Sequence, residues 1–157
     1  MSAMLSEKTH LVKGIDPIAD AFAGTVRSDV VNMANFARCR FIVYRGVGAT
    51  GTSTITVNAC DDVVPTTRSA IPFTSRDIAS GDTPGALTAR AAAGYIPAAG
   101  SSTITIIEVD AADLGPSGYG YVELTLAESV DSPVLAGVLI ELYEPKHSVT
   151  TGTRATT

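Results

Sequence analysis

Side chains able to act as acids, bases or nucleophiles are sparse in this chain. His10 and His147 are the only histidines, and they lie near opposite ends of the 157 residues. Neither has a nucleophile or a second base at a spacing that would build a catalytic triad. We therefore predict no catalytic residue, and expect that the protein is not an enzyme.

Acidic residues provide the nearest approach to a metal site. Asp61-Asp62 follows one predicted strand, and Glu108, Asp110 and Asp113 lie at the end of another. Together they could hold calcium, but the alternating Asp/Asn/Gly loop of a dedicated calcium site is absent. The simpler interpretation is that Asp61-Asp62 caps a turn, so we predict neither a metal ion nor a cofactor.

A glycine-rich segment spans residues 46–51, with glycines at positions 46, 48 and 51. This spacing matches the fingerprint of dinucleotide-binding folds, whose mechanism requires a helix directly after the glycines. Here residues 52–60 continue as a strand. We therefore predict a hairpin turn in which glycine supplies positive φ.

Charge limits the partners that the chain would bind. The formal net charge is -5 and the basic residues form no run, so we expect no nucleic-acid partner. Arg38 and Arg40 on one strand face, with Arg45, are the nearest approach to a cationic patch, which favours an acidic protein partner. No stretch approaches the roughly 20 apolar residues of a membrane span, and the N-terminal segment lacks an apolar signal core, so we expect synthesis in a cytoplasm and no membrane partner.

Cys39 and Cys60 lie on consecutive predicted strands and could approach each other. In a reducing compartment, two buried thiols that act as small apolar groups are favoured over a disulfide.

Alternating apolar and polar residues predict an all-β fold. In residues 54–58, Ile55 and Val57 share a buried face, and in residues 119–127 Val122, Leu124 and Leu126 do so opposite Tyr121, Glu123 and Thr125. The chain is long enough for one domain, a β-sandwich or jelly roll of about eight strands. The predicted strands are 25–33, 38–45, 52–60, 69–78, 87–93, 103–109, 119–127 and 134–143.

Two strands break the simple alternation. In residues 103–109, Ile104 and Ile106 share one face while Ile107 and Val109 share the other, which indicates either a β-bulge or burial of both faces. Residues 134–143 are apolar at both phases, so this strand is either central or meets another chain with its outer face. The second interpretation is slightly favoured.

The predicted organisation has three parts. Residues 1–24 carry few period-2 signals and are expected to form an extended N-terminal arm with at most one short strand. Residues 25–145 form the β-sandwich domain. Residues 146–157 are rich in threonine and are expected to form a flexible tail.

Several segments resemble small structural proteins encoded by tailed phages. They are VKGIDPIADAF at 12–22, SDVVNM at 28–33, YRGVGATGTS at 44–53, IPF at 71–73, SGDT at 80–83 and SGYGYV at 117–122. The resemblance covers roughly residues 12 to 145. It implies a capsid decoration, or cement, protein: a minor head protein that binds the outside of the shell after assembly, commonly as a trimer at three-fold positions.

This resemblance implies the partners and the contact residues. The partners would be the major capsid protein and further copies of the chain, in a virion assembled in the bacterial cytoplasm. Capsid contacts are assigned to the arm, at Leu11, Val12, Ile15, Ile18 and Phe22. Contacts between protomers are assigned to Tyr119, Tyr121, Leu135, Leu139 and Tyr143. The alternative is a head-fibre or tail accessory domain that binds host-surface carbohydrate, which the lack of Trp disfavours; a ring-forming tail tube or tail-completion protein also remains open.

Overall fold

Two antiparallel β-sheets pack face to face in this computed structural model, which describes residues 4–79 and 81–147. The strands are β1 (His10–Ile18), β2 (Thr25–Arg27), β3 (Val31–Asn32), β4 (Phe36–Arg45), β5 (Thr52–Cys60), β6 (Arg68–Ile71), β7 (Phe73–Ala79), β8 (Thr83–Pro84), β9 (Thr88–Arg90), β10 (Thr103–Asp110), β11 (Tyr121–Val130) and β12 (Ala136–Pro145). Helix α1 (Leu5–Lys8) and one 3-10 helix (Ala111–Ser117) are the helical segments of the described residues.

The first sheet has seven strands in the order β1-β12-β4-β10-β7-β8, and β9 also pairs with β7. The second has five strands in the order β2-β11-β5-β6, and β3 also pairs with β11. All of these pairs are antiparallel. The predicted all-β sandwich is therefore confirmed.

The core lies between the inner faces of the two sheets. The predicted inward residues of β5 and β11, such as Val57 and Leu124, are buried, and Phe41 and Val43 of β4 meet them from the other sheet. Successive side chains of a strand point to opposite faces of its sheet. Apolar residues at every second position of each strand are therefore enough to fill the core between the sheets.

The structure has twelve strands where the sequence predicted about eight. Two predicted strands are each divided in two: 25–33 becomes β2 and β3, and 69–78 becomes β6 and β7, which separate at Pro72. Proline has no backbone N–H to donate to a sheet, so it interrupts a ladder. Strand β8 is not among the predicted elements, and β1 is longer than the one short strand allowed for residues 1–24.

The N-terminal segment differs from the predicted arm, because β1 is a nine-residue strand that pairs with β12. Gly14 is buried, and a Cβ there would lie 2.9 Å from Ile140 Cγ1, so the close approach of β1 depends on this glycine. The register shifts beside Gly14 and again before Ile18, which interrupts the period-2 signal that would have revealed the strand. Ala21 and Phe22 then enter the core.

Strand β10 settles the phase conflict at Ile106-Ile107. It pairs with β4 in unbroken register, so the described strand contains no bulge there. Ile107 and Val109 are buried in the core, while Ile106 is half-buried on the other side of the sheet. Apolar burial on both faces is therefore the correct account.

The glycine segment at 46–51 is not a hairpin turn, because β4 and β5 belong to different sheets. It carries the chain across the end of the sandwich. Gly48 has φ of 141°, and a Cβ on Gly51 would lie 2.2 Å from the Ser132 carbonyl oxygen. Glycine is thus required for positive φ at one position and for close backbone approach at the other.

The acidic residues cap turns, as predicted for Asp61. Its Oδ2 accepts a hydrogen bond from the Thr66 hydroxyl at 2.5 Å, which is the main cause of its lowered pKa. Its Oδ1 accepts from the backbone N–H groups of Thr66 and Thr67, at 3.1 Å each, and these bonds lower the pKa further. Asp110 Oδ1 accepts from the Ala112 N–H at 2.9 Å and so caps the 3-10 helix. The predicted tail at 146–157 lies outside the described residues except for Lys146 and His147.

Candidate functional site

The outward side chains of the seven-stranded sheet form rows across its strands. Leu139, Ile42 and Ile106 occupy matching positions on β12, β4 and β10. Gly137, Tyr44 and Ile104 form the next row, which continues to Ile78 on β7. We call the following side chains the apolar half of the outer face: Ile42, Tyr44, Ile78, Ile104, Ile106, Leu135 and Leu139.

A groove crosses the apolar half above Gly137. Tyr44 is 58% exposed, Leu135 42% and Leu139 50%, so large apolar side chains line it without being covered. Its volume is about 350 Å³, and Pro17 contributes to the side formed by β1. Gly137 has no side chain and so leaves the bottom of the groove open. A Cβ at this position would lie 3.2 Å from Pro17 Cγ and would partly fill the groove. This combination is typical of a surface that contacts another molecule.

The other half of the outer face is charged, with alternating signs. Arg40 lies between Glu141 and Glu108, and its Nε donates a hydrogen bond to Glu141 Oε2. In the next row, Arg38 Nε lies 3.5 Å from Asp110 Oδ2 and 3.4 Å from Glu144 Oε2. We call this region the charged half of the outer face.

The predicted protomer-contact residues divide between different surfaces. Leu135 and Leu139 lie in the apolar half. Tyr143 lies in the charged half, where its ring centroid is 5.8 Å from the Arg40 guanidinium and burial, aided by Glu108, raises its pKa to about 12. Tyr121 is on β11 of the other sheet, and Tyr119 packs against the core. The five residues therefore do not form one surface.

The predicted capsid-contact residues are also divided. Leu11 is exposed on the outer face, opposite Glu141, and Ile18 is exposed near the end of β1. Ile15 lines the groove and, like Val12, packs partly against the core. Phe22 is only 2% exposed within the core, so its side chain is not available to a partner. The structure thus places Leu11 on the same face as Leu139, whereas Ile15 pairs with Val138 and faces the core.

Sequence reasoning missed Ile42, Tyr44 and Gly137 as members of this surface. A signal was present in β4, where Phe41 and Val43 occupy the inner phase while Ile42 and Tyr44 make the outer phase apolar. Residues 134–143 show the same pattern, with apolar residues on both faces of the strand.

The arginine patch expected from the sequence is absent from the described surface. Arg38 and Arg40 are paired with carboxylates in the charged half. Arg45 faces the opposite way and is buried between the sheets, because its position on β4 shares the phase of Phe41 and Val43. A cationic surface for an acidic partner therefore does not form from these three residues.

The cysteines are free, buried thiols, one in each sheet. Burial raises the pKa of Cys39 far above its ordinary value, and burial, with a smaller contribution from Glu123, raises that of Cys60 to about 12. Both thiols are therefore neutral and unreactive at neutral pH.

Neither a metal cluster nor a membrane helix occurs in the described part of the chain. Within residues 4–79 and 81–147, no group of three or more His, Cys, Asp or Glu side chains is arranged to hold a metal ion. In the same residues, no helix is long and apolar enough to cross a membrane.

Comparison with known proteins adds a structural likeness. No family model matches this chain, and no curated protein matches it. The crystal structure of SPBc2 prophage-derived protein YomS is similar, with a TM-score of 0.44 and 11% sequence identity over 84% of this chain and 92% of that one. A likeness at this level carries no functional argument.

Proposed function

We propose that this chain is a structural virion protein of a tailed phage that binds the outer surface of the capsid and stabilises the shell. It acts as a homo-oligomer, a trimer at three-fold positions, and catalyses no reaction. The observation that carries the proposal is the apolar half of the outer face, together with the segments that resemble phage structural proteins.

The apolar half is suited to burial against a protein surface. Fully burying an exposed leucine contributes about 1.5–3 kcal/mol, so covering Leu135 and Leu139, which are 42% and 50% exposed, contributes roughly half as much for each. Tyr44 lies beside them along the groove. Many copies of such a modest contact would stabilise a shell, because multivalent attachment adds affinity without any single strong contact.

We assign the apolar half to contacts between copies of the chain. The adjoining charged half supports this assignment, since rows that carry both signs can pair with another copy in a defined register. The large hydrophobic side chains that β1 exposes, Leu11 and Ile18, are assigned to the capsid.

The chemistry of the groove favours binding over catalysis. Its charged side chains are Lys13 and Asp16, which pair with each other at 3.3 Å. A hydrolase would need a nucleophile, a base and an orienting group in one cleft.

Light scattering of the purified full-length protein tests the oligomer. We expect Leu139→Glu to convert the oligomer to monomer, because it would place a carboxylate in an apolar contact. Val64→Glu is the matched control, since Val64 is also exposed, at 78%, but lies in the loop between β5 and β6. A wild-type protein that is strictly monomeric, or an equal effect of both variants, would contradict the assignment.

Co-sedimentation with empty shells tests the partner. The shells are assembled from the major capsid protein encoded in the same genome. We expect the wild-type protein to sediment with them and Leu11→Lys/Ile18→Lys to remain in solution as a folded oligomer. Failure of the wild-type protein to bind shells would refute the capsid assignment and leave the oligomer result standing.

A further inference from the structure

A ring of three copies, the proposed function on which this inference rests, requires two different contact surfaces on each chain. In a two-fold dimer one patch meets the same patch of the other copy, whereas a three-fold ring joins one patch of each copy to a different patch of the next. The groove above Gly137 is one such patch. Because this groove is concave and apolar, its counterpart should be an exposed apolar side chain elsewhere on the chain.

Leu87 lies at the edge of the seven-stranded sheet that is farthest from β1. It is 53% exposed and lies between β8 and β9, the short strands that pair with β7. Its side chain borders the outer face, where it lines a cavity together with Thr74 and Glu108. A large apolar side chain with this exposure is removed from water when it enters an apolar groove, which favours association.

The groove and Leu87 lie toward opposite edges of the same sheet. The groove is over β12 and β4, and the sheet continues through β10 and β7 before it reaches β8 and β9. With strands about 4.8 Å apart, Leu87 is on the order of 14–19 Å from the groove. A leucine side chain cannot span this distance, so Leu87 can enter a groove only on another copy.

Arg76 gives this edge a positive charge that is complementary to a carboxylate of the groove. The register of β7 with β8 and β9 places Arg76 beside Leu87. It is exposed, and among the described residues no carboxylate lies within 4.0 Å of its guanidinium. Asp16 lines the groove, and its exposed carboxylate, which pairs with Lys13 at 3.3 Å, can accept a second donor. Such a contact at the rim adds little affinity but fixes the orientation of one copy on the next.

We propose that Leu87 of one copy fills the groove above Gly137 of the next copy, and that Arg76 beside it pairs with Asp16 at the rim. The contact is then heterologous, and three such contacts close a ring. The lack of a side chain at Gly137 provides the space. The groove volume of about 350 Å³ equals that of about 12 water molecules, at ~30 Å³ each, which accommodates a leucine side chain and the backbone beside it.

Light scattering of mixed full-length variants tests the heterologous contact. Leu87→Glu loses the side chain that enters the groove but keeps its own groove, whereas Leu139→Glu keeps Leu87 and has a damaged groove. We expect each variant alone to be a monomer. An equimolar mixture should form 1:1 pairs, because the intact Leu87 of one chain fits the intact groove of the other. The mixture is measured at high concentration, since an open pair has one contact where the closed ring has three.

Disulfide trapping provides a second measurement of the same contact. With diamide as the thiol oxidant, Leu87→Cys/Leu139→Cys should form covalent trimers on a non-reducing gel, whereas each single variant should remain uncoupled. Val64→Cys/Leu139→Cys is the matched control, because Val64 is also an exposed apolar residue but lies in the loop between β5 and β6. The native thiols of Cys39 and Cys60 are buried and do not interfere.

Two results would overturn this contact and leave the proposed oligomer standing. One is a wild-type oligomer that Leu87→Glu leaves as unchanged as Val64→Glu does. The other is covalent dimers from Leu139→Cys alone, which would mean that the apolar half meets itself across a two-fold axis. A strictly monomeric wild-type protein would instead contradict the proposed oligomer itself, and this contact with it.

Discussion

Glu123 illustrates how a residue can occupy its predicted face and yet be buried. The alternation in β11 places it opposite Val122 and Leu124, on the side expected to face water. It is nevertheless only 1% exposed, because Arg68 Nε lies 2.6 Å and Arg27 Nε 3.5 Å from its Oε1. Arg27 comes from β2 and Arg68 from β6, so the carboxylate is covered from both neighbouring sides.

We predict that Arg68→Met lowers the free energy of unfolding by about 2 kcal/mol. The change removes the nearer arginine and leaves the buried carboxylate of Glu123 with a single cation. Removing one partner of a buried charge lowers stability more than removing one partner of an exposed ion pair. Urea denaturation measures the change.

The control for this prediction is Arg38→Met, which removes an exposed arginine from two surface carboxylates and should have a much smaller effect. Arg68→Met/Glu123→Met should recover most of the lost stability, because no unpaired buried charge remains. If Arg38→Met proved as damaging as Arg68→Met, burial of Glu123 would not be the cause.

At the scale of elements, β1 belongs to the body of the protein rather than to a separate arm. It supplies nine residues to the seven-stranded sheet, and the Ala21 N–H just beyond it donates to the Val134 carbonyl oxygen at 2.9 Å. Phe22 then packs in the core. Deleting residues 1–24 would therefore remove part of the core as well as any capsid contact.

We predict that deletion of residues 1–9 and deletion of residues 1–24 have different effects on stability. Removing residues 1–9 should leave the Tm nearly unchanged, because helix α1 has no buried residue. Removing residues 1–24 should abolish cooperative unfolding, because it removes β1 and the buried Phe22, a side chain whose loss alone costs about 3–5 kcal/mol. Thermal unfolding followed by circular dichroism measures both.

A stable, cooperative protein lacking residues 1–24 would show that β1 is a detachable arm after all. Capsid contacts of β1 are therefore tested better by point variants at Leu11 and Ile18 than by the longer deletion.

At the scale of the whole molecule, the two sheets share one core. Residues from both meet in it, such as Phe41 and Ile140 from the larger sheet and Val57 and Leu126 from the smaller. The sheets should therefore unfold together. Cys39 and Cys60 provide one buried thiol in each sheet to report on this.

We predict that the two thiols become reactive at the same rate under native conditions. Their raised pKa values keep them protonated at pH 8, since a group with a pKa of about 12 is almost entirely neutral there, so a disulfide reagent reacts only after unfolding. The variants Cys39→Ala and Cys60→Ala, each with one remaining thiol, allow the two rates to be measured separately. Much faster labelling of one thiol would mean that its sheet opens alone.

Local patterning determined much of this fold from the sequence alone. The inward faces of β5 and β11, the cap at Asp61 and the buried thiols follow from side-chain types within a few residues, because alternation across a strand and capping are local effects. Leu135 and Leu139 could also be predicted as contact residues from one segment alone. Apolar residues on both faces of a strand can be recognised without knowing which strands lie beside it.

Tertiary structure alone decided which strands are neighbours, and with that the composition of every surface. Period-2 alternation states that a residue faces inward or outward, but it carries no information on sheet order, so it could not place Tyr121 and Leu139 on different sheets. The same limit applies to β1, whose register shift at Gly14 is meaningful only against β12. Pairing between distant segments brought Ile42, Tyr44 and Gly137 together, and no pattern within one strand records such contacts.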